Sequence, residues 1–160
     1  MAYALDPVDD GFFAQAPIVV PTTVELDADP GRVWEALGSD AMWSWAPVVD
    51  RLEWITPRPL SGTPIRRLRL AGLTTIEEEF YRWEEPRWAT FRVTHTTRPI
   101  LRGLAEDFKL DPLDDGQRTR LTWTMALKPR ADLSAAAGRR IAKAIAPGNA
   151  FGLARIRKIL

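Results

Sequence analysis

The chain contains no cysteine and only one histidine, His95, among its 160 residues. Without cysteine it cannot form a disulfide, use a thiol nucleophile or build a cysteine metal site. A single imidazole leaves carboxylates as the only other strong metal ligands, so we expect no metal centre. The lack of cysteine also fits a cytoplasmic protein.

Targeting segments and nucleotide motifs are missing as well. Residues Met1 to Asp10 lack a basic region followed by a long apolar run, so we expect neither a secretory signal nor a membrane anchor. No phosphate-binding loop, serine-nucleophile elbow or dinucleotide glycine pattern is present. The 22 basic residues nearly balance the 21 acidic ones, which gives no basis for bulk nucleic-acid binding. The sequence therefore predicts no cofactor, no nucleic-acid partner and no integral membrane association.

The length predicts one domain with an extra arm. A chain of 160 residues can bury about two-thirds of its unfolded surface in a single core. We interpret residues 1–17 as an N-terminal arm, with Phe12 and Phe13 covering a sheet edge or a pocket mouth. Residues 18–160 then form the single domain.

Sustained helical periodicity occurs only in the last segment, from Arg130 to Leu160. Its first apolar stripe is predicted to contain Leu133, Ala137, Ile141, Ala144 and Ile145. An interior proline removes a backbone donor, so we expect a break at Pro147-Gly148. A helix of about thirteen residues is only marginally stable alone, so its apolar stripe needs a surface to pack on. We expect that surface to be a sheet.

Two short helices are predicted after the first strand, Ile18 to Leu26. Asp29 is placed to cap the first, which runs from Pro30 to about Leu37. Asp40 can cap the second. That helix carries Met42, Trp43 and Trp45 and is stopped by Pro47.

Two short turns predict which strand residues face the core. Across the turn at Gly72 the predicted pairs are Leu70 with Thr74, Leu68 with Ile76, Arg66 with Glu78, and Arg67 with Glu77. Across the next turn they are Phe80 with Phe91, Glu78 with Val93, Ile76 with His95, and Glu79 with Arg92. In the last hairpin Glu106 is placed opposite Trp123. About six strands in antiparallel succession follow the short helices, which predicts an α+β fold with one curved sheet.

Four stretches carry a resemblance to a known family. They are Val24 to Leu37, Met42 to Pro47, Glu84 to Arg87, and Asp114 to Leu121. Together they resemble the START-like superfamily, in particular its polyketide cyclase/dehydrase and lipid-transport group, over roughly Ile18 to Leu160. The resemblance implies a helix-grip fold, in which a seven-stranded antiparallel sheet curls around a long C-terminal helix and leaves a cavity. The family supplies no shared catalytic motif.

Strand parity places several charged residues among inward-facing apolar ones. The residues predicted to contact a ligand are Arg66, Glu78, Phe80, Phe91, Val93, Leu104, Phe108, Trp123, Met125 and Phe151. A buried charge costs several kcal/mol unless it is paired. Arg66 and Glu78 are therefore interpreted as an ion pair closing one end of the cavity; the alternative is that Arg66 anchors a carboxylate or phenolate of the ligand.

His95 and Glu106 are the candidate catalytic pair. The unperturbed pKa of histidine, about 6.5, suits a general acid or base. Burial beside Trp123 would raise the pKa of Glu106 and let it act as an acid. The alternatives are a hydrogen-bonded surface histidine and a Glu106 paired with Arg102 or a helix residue.

Three functions remain open on the sequence alone. The first is binding of a small hydrophobic or aromatic molecule between sheet and terminal helix. The second is a polyketide cyclase or dehydratase that uses His95 and Glu106. The third is a peripheral membrane or protein-interaction module that uses the basic helix face. That face consists of Arg139, Arg140, Lys143, Arg155, Arg157 and Lys158. The choice between a monomer and a homodimer is also open.

Overall fold

The structure, a computed structural model, describes residues 2–44, 46 and 48–160. The strands are β1 (Tyr3–Ala4), β2 (Ile18–Leu26), β3 (Val49–Trp54), β4 (Ile65–Leu70), β5 (Thr74–Glu84), β6 (Trp88–Thr96), β7 (Leu101–Leu113) and β8 (Arg118–Pro129). The α-helices are α1 (Phe12–Gln15), α2 (Pro30–Gly38) and α3 (Ala135–Ala154). Short 3-10 turns follow β7, at Asp114–Gly116, and α3, at Arg155–Lys158.

Seven strands form one curled antiparallel sheet in the order β2-β8-β7-β6-β5-β4-β3. Consecutive strands from β3 to β8 are neighbours. Short turns join them, except for the longer loop 55–64 between β3 and β4. β2 closes the other edge by pairing with β8 along its whole length. The predicted α+β class, with a seven-stranded antiparallel sheet and a C-terminal helix, is confirmed.

The register predicted across the turn at Gly72 is confirmed. All four predicted β4–β5 pairs are present, including Arg66 with Glu78 and Arg67 with Glu77. Gly72 adopts a φ of 64°, the left-handed conformation that such a short loop requires. These two strands therefore present alternate side chains to the inner and outer faces of the sheet.

The register of β5 against β6 is confirmed only in part. Phe80 pairs with Phe91 and Glu78 pairs with Val93, as predicted. A register shift lies between Glu77 and Glu78, so Ile76 pairs with Thr96 instead of His95. Because side chains alternate with a period of two, this one-residue shift moves the last residues of β6 to the opposite face.

Helix α2 begins as predicted. The Asp29 side chain accepts a hydrogen bond from the Arg32 backbone N–H, and Pro30 occupies the first turn. The second predicted helix is wrong for the residues that the structure describes, because 40–44 form successive turns. Trp43 has a φ of 72°, which a right-handed helix excludes. Trp45 and Pro47, which belonged to that prediction, lie outside the described residues.

Helix α3 packs against β2 through small residues. Gly138 and Gly152 are buried, and a Cβ at Gly138 would stand 1.9 Å from the carbonyl oxygen of Pro17. Only glycine permits that approach. The predicted apolar stripe is therefore rotated about the helix axis, since Ile141 and Ala144 are exposed.

The predicted break at Pro147-Gly148 is also wrong, because α3 runs through both residues. Proline cannot donate to the carbonyl four residues earlier, which belongs to Lys143. Lys143 and Pro147 are both exposed, so water can satisfy that carbonyl. The lost hydrogen bond therefore costs less here than it would on a buried helix face.

The N-terminal arm lies on the outer face of the sheet. β1 pairs with the end of β6, beyond the last residue that β6 pairs with β7. Val8 and Phe12 pack on Ala105 and Ala126 and form a small second core. Phe12 therefore packs on the outer face of two interior strands, β7 and β8, and the predicted cover of a sheet edge or a pocket mouth is wrong.

The main core fills part of the inner face. Trp34 of α2 packs on Trp83 with ring centroids 4.8 Å apart, and Trp43 packs on Trp123 at 5.3 Å. Leu153 and Ile156, at the C-terminal end of α3, complete this core. Among the described residues, none of this core covers the rest of the inner face.

Candidate functional site

A cavity of about 420 Å³ occupies the uncovered part of the inner face. Strands β4, β5, β7 and β8 form its floor, the segment before β3 forms one wall, and the second half of α3 forms the other. Its described lining residues are Trp43, Ala46, Val48, Val49, Leu68, Leu70, Ile76, Glu78, Leu104, Glu106, Trp123, Met125, Gly148, Asn149, Phe151, Gly152 and Arg155.

The confirmed hairpin register explains the floor. Leu68 and Leu70 on β4 and Ile76 and Glu78 on β5 lie on one face because alternate residues of paired strands point the same way. Leu104 and Glu106 on β7 and Trp123 and Met125 on β8 continue that floor. The result is an apolar floor with two carboxyl groups.

Glu78 is held by a fully buried ion pair. The Arg66 Nε donates to Glu78 Oε2, and both side chains are almost completely buried. The Arg66 guanidinium also lies 4.8 to 5.5 Å from the ring centroids of Trp54, Phe80 and Phe91. Burial raises the pKa of Glu78, and the charge of Arg66 opposes that rise.

Glu106 is the second carboxyl group of the floor. It pairs with Met125 on β8, so the predicted position opposite Trp123 is wrong. Its side chain nevertheless accepts a hydrogen bond of 2.8 Å from the indole Nε1 of Trp123. Burial is the main cause that raises the pKa of Glu106 to about 8, and the neighbouring Glu78 adds to the rise. Glu106 is therefore mostly protonated at neutral pH and can donate a hydrogen bond into the cavity.

The mouth of the cavity carries two exposed apolar side chains. Val48 is 52% exposed and Phe151 is 68% exposed. Arg155 lies beside Phe151, with its guanidinium carbon 5.3 Å from the ring centroid. An apolar mouth with one cation therefore leads to the apolar floor.

A family model described as polyketide cyclase / dehydrase and lipid transport matches residues 17–160. The chain belongs to this family. Its relatives include uncharacterised proteins of Mycobacterium tuberculosis and Mycobacterium bovis, each 31% identical over 127 residues. That alignment covers 79% of this chain and 75% of each relative.

Solved structures support the family's fold. An aromatase/cyclase from a Streptomyces species superposes with a TM-score of 0.67 at 22% identity, covering 87% of this chain and 90% of its own. A START superfamily protein from Mycobacterium smegmatis gives a TM-score of 0.67 at 19% identity, covering 86% and 92%. At these identities the likeness establishes the fold alone.

In this polyketide cyclase/dehydrase family member, His95 does not face the cavity, so its predicted inward position is wrong. The shift between Glu77 and Glu78 turns it to the outer face. There its side chain is 50% exposed, its Nδ1 lies 3.2 Å from the Thr94 hydroxyl, and it stands 3.6 Å from a Glu77 carboxylate oxygen. His95 and Glu106 therefore lie on opposite faces of the sheet and cannot act as a pair.

The residues predicted to contact a ligand divide into two groups. Five line the cavity, namely Glu78, Leu104, Trp123, Met125 and Phe151, and their role in binding stays a prediction. The other five, Arg66, Phe80, Phe91, Val93 and Phe108, are buried behind the wall. Their inward direction is correct, but they are buried and do not line the cavity.

Most of the cavity residues on α3, at its C-terminal end and on β3 could not be identified from the sequence. Asn149, Gly152 and Arg155 line it from α3 and its C-terminal end, and Val49 lines it from β3. The run of small residues near Gly152 was the one feature of the sequence that could have indicated the helix residues. Small side chains allow this part of the helix to form a wall close to the cavity. Hydropathy alone does not detect such a face.

A depression of about 450 Å³ lies on the outer face between the arm and the sheet. Its main cation, Arg92, already binds Glu79 at 2.6 Å and the Val8 carbonyl oxygen at 3.0 Å. Arg92 is therefore satisfied within the protein, and we favour the inner cavity as the functional site.

Two further findings concern the described part of the chain. No cluster of three or more histidine, aspartate or glutamate residues there could hold a metal ion. No helix in those same ranges is long and apolar enough to cross a membrane.

Proposed function

We propose that the protein binds a small hydrophobic or aromatic molecule in the inner cavity. The observation that carries the proposal is the cavity itself, about 420 Å³ in volume, with mostly apolar walls and a few convergent polar groups. Ligand sites in proteins usually have volumes of about 300 to 1,000 Å³ and this kind of lining. The membership of the chain in a family that includes lipid transport supports the same function.

Glu106 gives the site one oriented polar group. A protonated carboxyl can donate to a carbonyl or hydroxyl oxygen of the ligand, while Trp123 holds the other carboxyl oxygen in place. Burying an oxygen atom without a donor is costly. The cavity therefore favours a mainly apolar molecule with an oxygen atom near its deep end.

Acid catalysis by Glu106 is a second candidate function. The raised pKa of Glu106, about 8, suits proton donation to a ligand oxygen at neutral pH. One solved structure with the same fold is named as an aromatase/cyclase. If this function is correct, Glu106→Gln abolishes turnover of an identified substrate but retains its binding.

Blocking the cavity tests the binding proposal. Leu104 lines the floor, so Leu104→Trp places a large ring inside the cavity. Ile100→Trp is the matched control, because Ile100 is 66% exposed and does not line the cavity. The probe is N-phenylnaphthylamine, an uncharged aromatic dye that becomes fluorescent in apolar sites.

We expect the wild type and Ile100→Trp to bind the dye with similar affinity and at one site per chain. In Leu104→Trp the affinity for the dye should fall about tenfold or more, because the ring removes apolar contact area that the dye would otherwise occupy. A cooperative thermal transition shows that each variant is folded. Equal dye binding by the two tryptophan variants would contradict the proposal.

A further inference from the structure

Arg155 lies at the mouth of the cavity without a carboxylate partner. It follows the last residue of α3, is half-buried and lines the cavity. Its Nε is shielded from solvent and has no hydrogen-bond partner among residues 2–44, 46 and 48–160. In those ranges, no acidic group lies within salt-bridge distance of Arg155.

Arg157, at this end of the chain, and Arg32, on α2, are engaged elsewhere. Arg157 donates to the backbone oxygen of Glu25 at 2.8 Å, and Arg32 donates to the backbone oxygen of Leu160. Both turn away from the cavity, since neither lines it. Arg155 is therefore the cation that the fold directs to the mouth.

Asn149 supplies a second donor on the same wall. Its Nδ2 is shielded from solvent and has no hydrogen-bond partner within the described ranges. Leaving a shielded donor unpaired costs about 1–3 kcal/mol. Asn149 and Arg155 both line this wall, so an acceptor group of a ligand bound there can pair with the two side chains.

The charges around the cavity do not cancel. Its charged lining residues are Glu78, Glu106 and Arg155, within the described residues. Arg66 neutralises Glu78, and Glu106 is mostly uncharged at neutral pH because its pKa is raised to about 8. Arg155 therefore leaves the site with a net positive charge. Protonation of Glu78 would make that charge larger.

We infer that the ligand is an organic anion whose apolar body fills the cavity and whose oxyanion group binds Arg155 and Asn149 at the mouth. This inference rests on the proposed binding function and adds the chemical class of the ligand. A guanidinium matches the planar fork of a carboxylate, and hydrogen bonds to a charged group are stronger than neutral ones. Phe151 lies beside Arg155 and adds apolar surface next to this oxyanion site.

Two dyes with nearly the same aromatic body test the inference. N-phenylnaphthylamine is uncharged, and anilinonaphthalene sulfonate carries one oxyanion group. The variant is Arg155→Gln, which keeps a polar side chain and removes the charge. The control is Lys158→Gln, because Lys158 is exposed, lies three residues away and does not line the cavity.

The measured quantity is the ratio of the affinities for the sulfonated and the uncharged dye. We expect Arg155→Gln to lower this ratio about tenfold or more, as loss of a charge-assisted hydrogen bond predicts. Lys158→Gln should leave the ratio within about twofold. Retained binding of the uncharged dye shows that Arg155→Gln is folded with its cavity intact.

The two proposals fail in different ways. If the wild type binds the uncharged dye but Arg155→Gln does not change the ratio, the inference about an anionic ligand is wrong and the binding function stands. If Lys158→Gln lowers the ratio as much as Arg155→Gln, the effect is one of overall charge, and the inference is again wrong. If the wild type does not bind the uncharged dye, the proposed function itself is wrong.

Discussion

The inner and outer faces of the sheet each carry an arginine–glutamate ion pair, but only the inner pair is buried. Arg66–Glu78 and Arg67–Glu77 are formed by adjacent residues of the same two strands in the same register. The inner pair is 2% and 4% exposed, whereas the outer pair is 46% and 28% exposed. The alternation of side chains along the strands decides which pair is buried, and we expect only the buried pair to affect stability strongly.

The two faces also differ in how they are covered. The outer face is covered partly by the arm, through Val8 and Phe12. The inner face is covered by α2, the turns around Trp43 and the end of α3, and these leave a cavity. The outer covering therefore contributes to stability, and we assign function to the gap in the inner covering.

The largest expected effect comes from breaking the inner ion pair. Arg66→Met leaves the Glu78 carboxylate buried without its partner, so we expect the free energy of unfolding to fall by about 3–5 kcal/mol. Arg67→Met, the matched change on the outer face, should cost less than about 1 kcal/mol. Urea denaturation of both variants measures the difference.

The double variant Arg66→Met/Glu78→Leu is the control for this prediction. Replacing a buried ion pair with apolar residues is often close to neutral, so the double variant should recover most of the lost stability. Similar losses for Arg66→Met and Arg67→Met would contradict the difference between the two faces.

The second prediction concerns the outer covering. Phe12→Ala removes a buried ring from the small outer core, so we expect a loss of about 3 kcal/mol. Phe13→Ala, at the partly buried neighbour, should cost less. Dye binding in the inner cavity should be unchanged in both, as measured by fluorescence titration. Loss of dye binding in folded Phe12→Ala would show that the two faces are coupled.

The third prediction is a pH dependence of opposite sign on the two faces. The pKa of Glu106 is about 8 in the folded protein and near 4.5 when unfolded, so the folded state holds the proton more tightly. Its contribution to stability is complete below about pH 4.5 and is lost as the pH rises to about 8, at up to about 1.4 kcal/mol per pH unit. In Glu106→Gln, the urea midpoint should fall less over this pH range than it does in the wild type.

Glu25, on the outer surface, provides the opposite case. Hydrogen bonding from Arg120 lowers the pKa of the Glu25 carboxyl, so its contribution is lost as the pH falls through that lowered pKa. Glu25→Gln should therefore alter the acid side of the stability profile. A Glu106→Gln profile identical to the wild type between pH 5 and about 8 would contradict the raised pKa.

The smallest expected effect on stability belongs to the cavity mouth. Phe151→Ala should change the free energy of unfolding by less than about 0.5 kcal/mol, because the ring is 68% exposed. It should weaken binding of the uncharged dye by roughly threefold to tenfold, since the ring lines the cavity. Leu73→Ala is the control, at an equally exposed hairpin tip away from the cavity. Unchanged dye affinity in Phe151→Ala would show that the ring does not contribute to binding.

The sequence predicts the fold well where turns determine the register. The short loop at Gly72 determines which residues of β4 and β5 are opposite each other, so the Arg66–Glu78 pair could be predicted. The position of His95 could not be predicted, because the shift at Glu77 and Glu78 adds one residue without a visible change in the apolar pattern.

The candidate site is less predictable than the fold. Phe91 and Leu104 both point to the inner face of the sheet. Phe91 packs against other rings, whereas Leu104 lines the cavity. The difference depends on which part of the inner face α2 and α3 cover, and no local pattern records that. The rotation of α3 has the same origin, since contact with β2 selects Gly138 over the more apolar Ile141.

The most direct test of the account is to locate the bound dye by NMR. Titration with N-phenylnaphthylamine should shift the methyl signals of Leu70, Leu104 and Met125 on the inner face at a one-to-one stoichiometry. The signal of Val8, under the arm on the outer face, should not move. Shifts confined to Val8 and its neighbours would place the ligand in the outer depression and contradict the central claim.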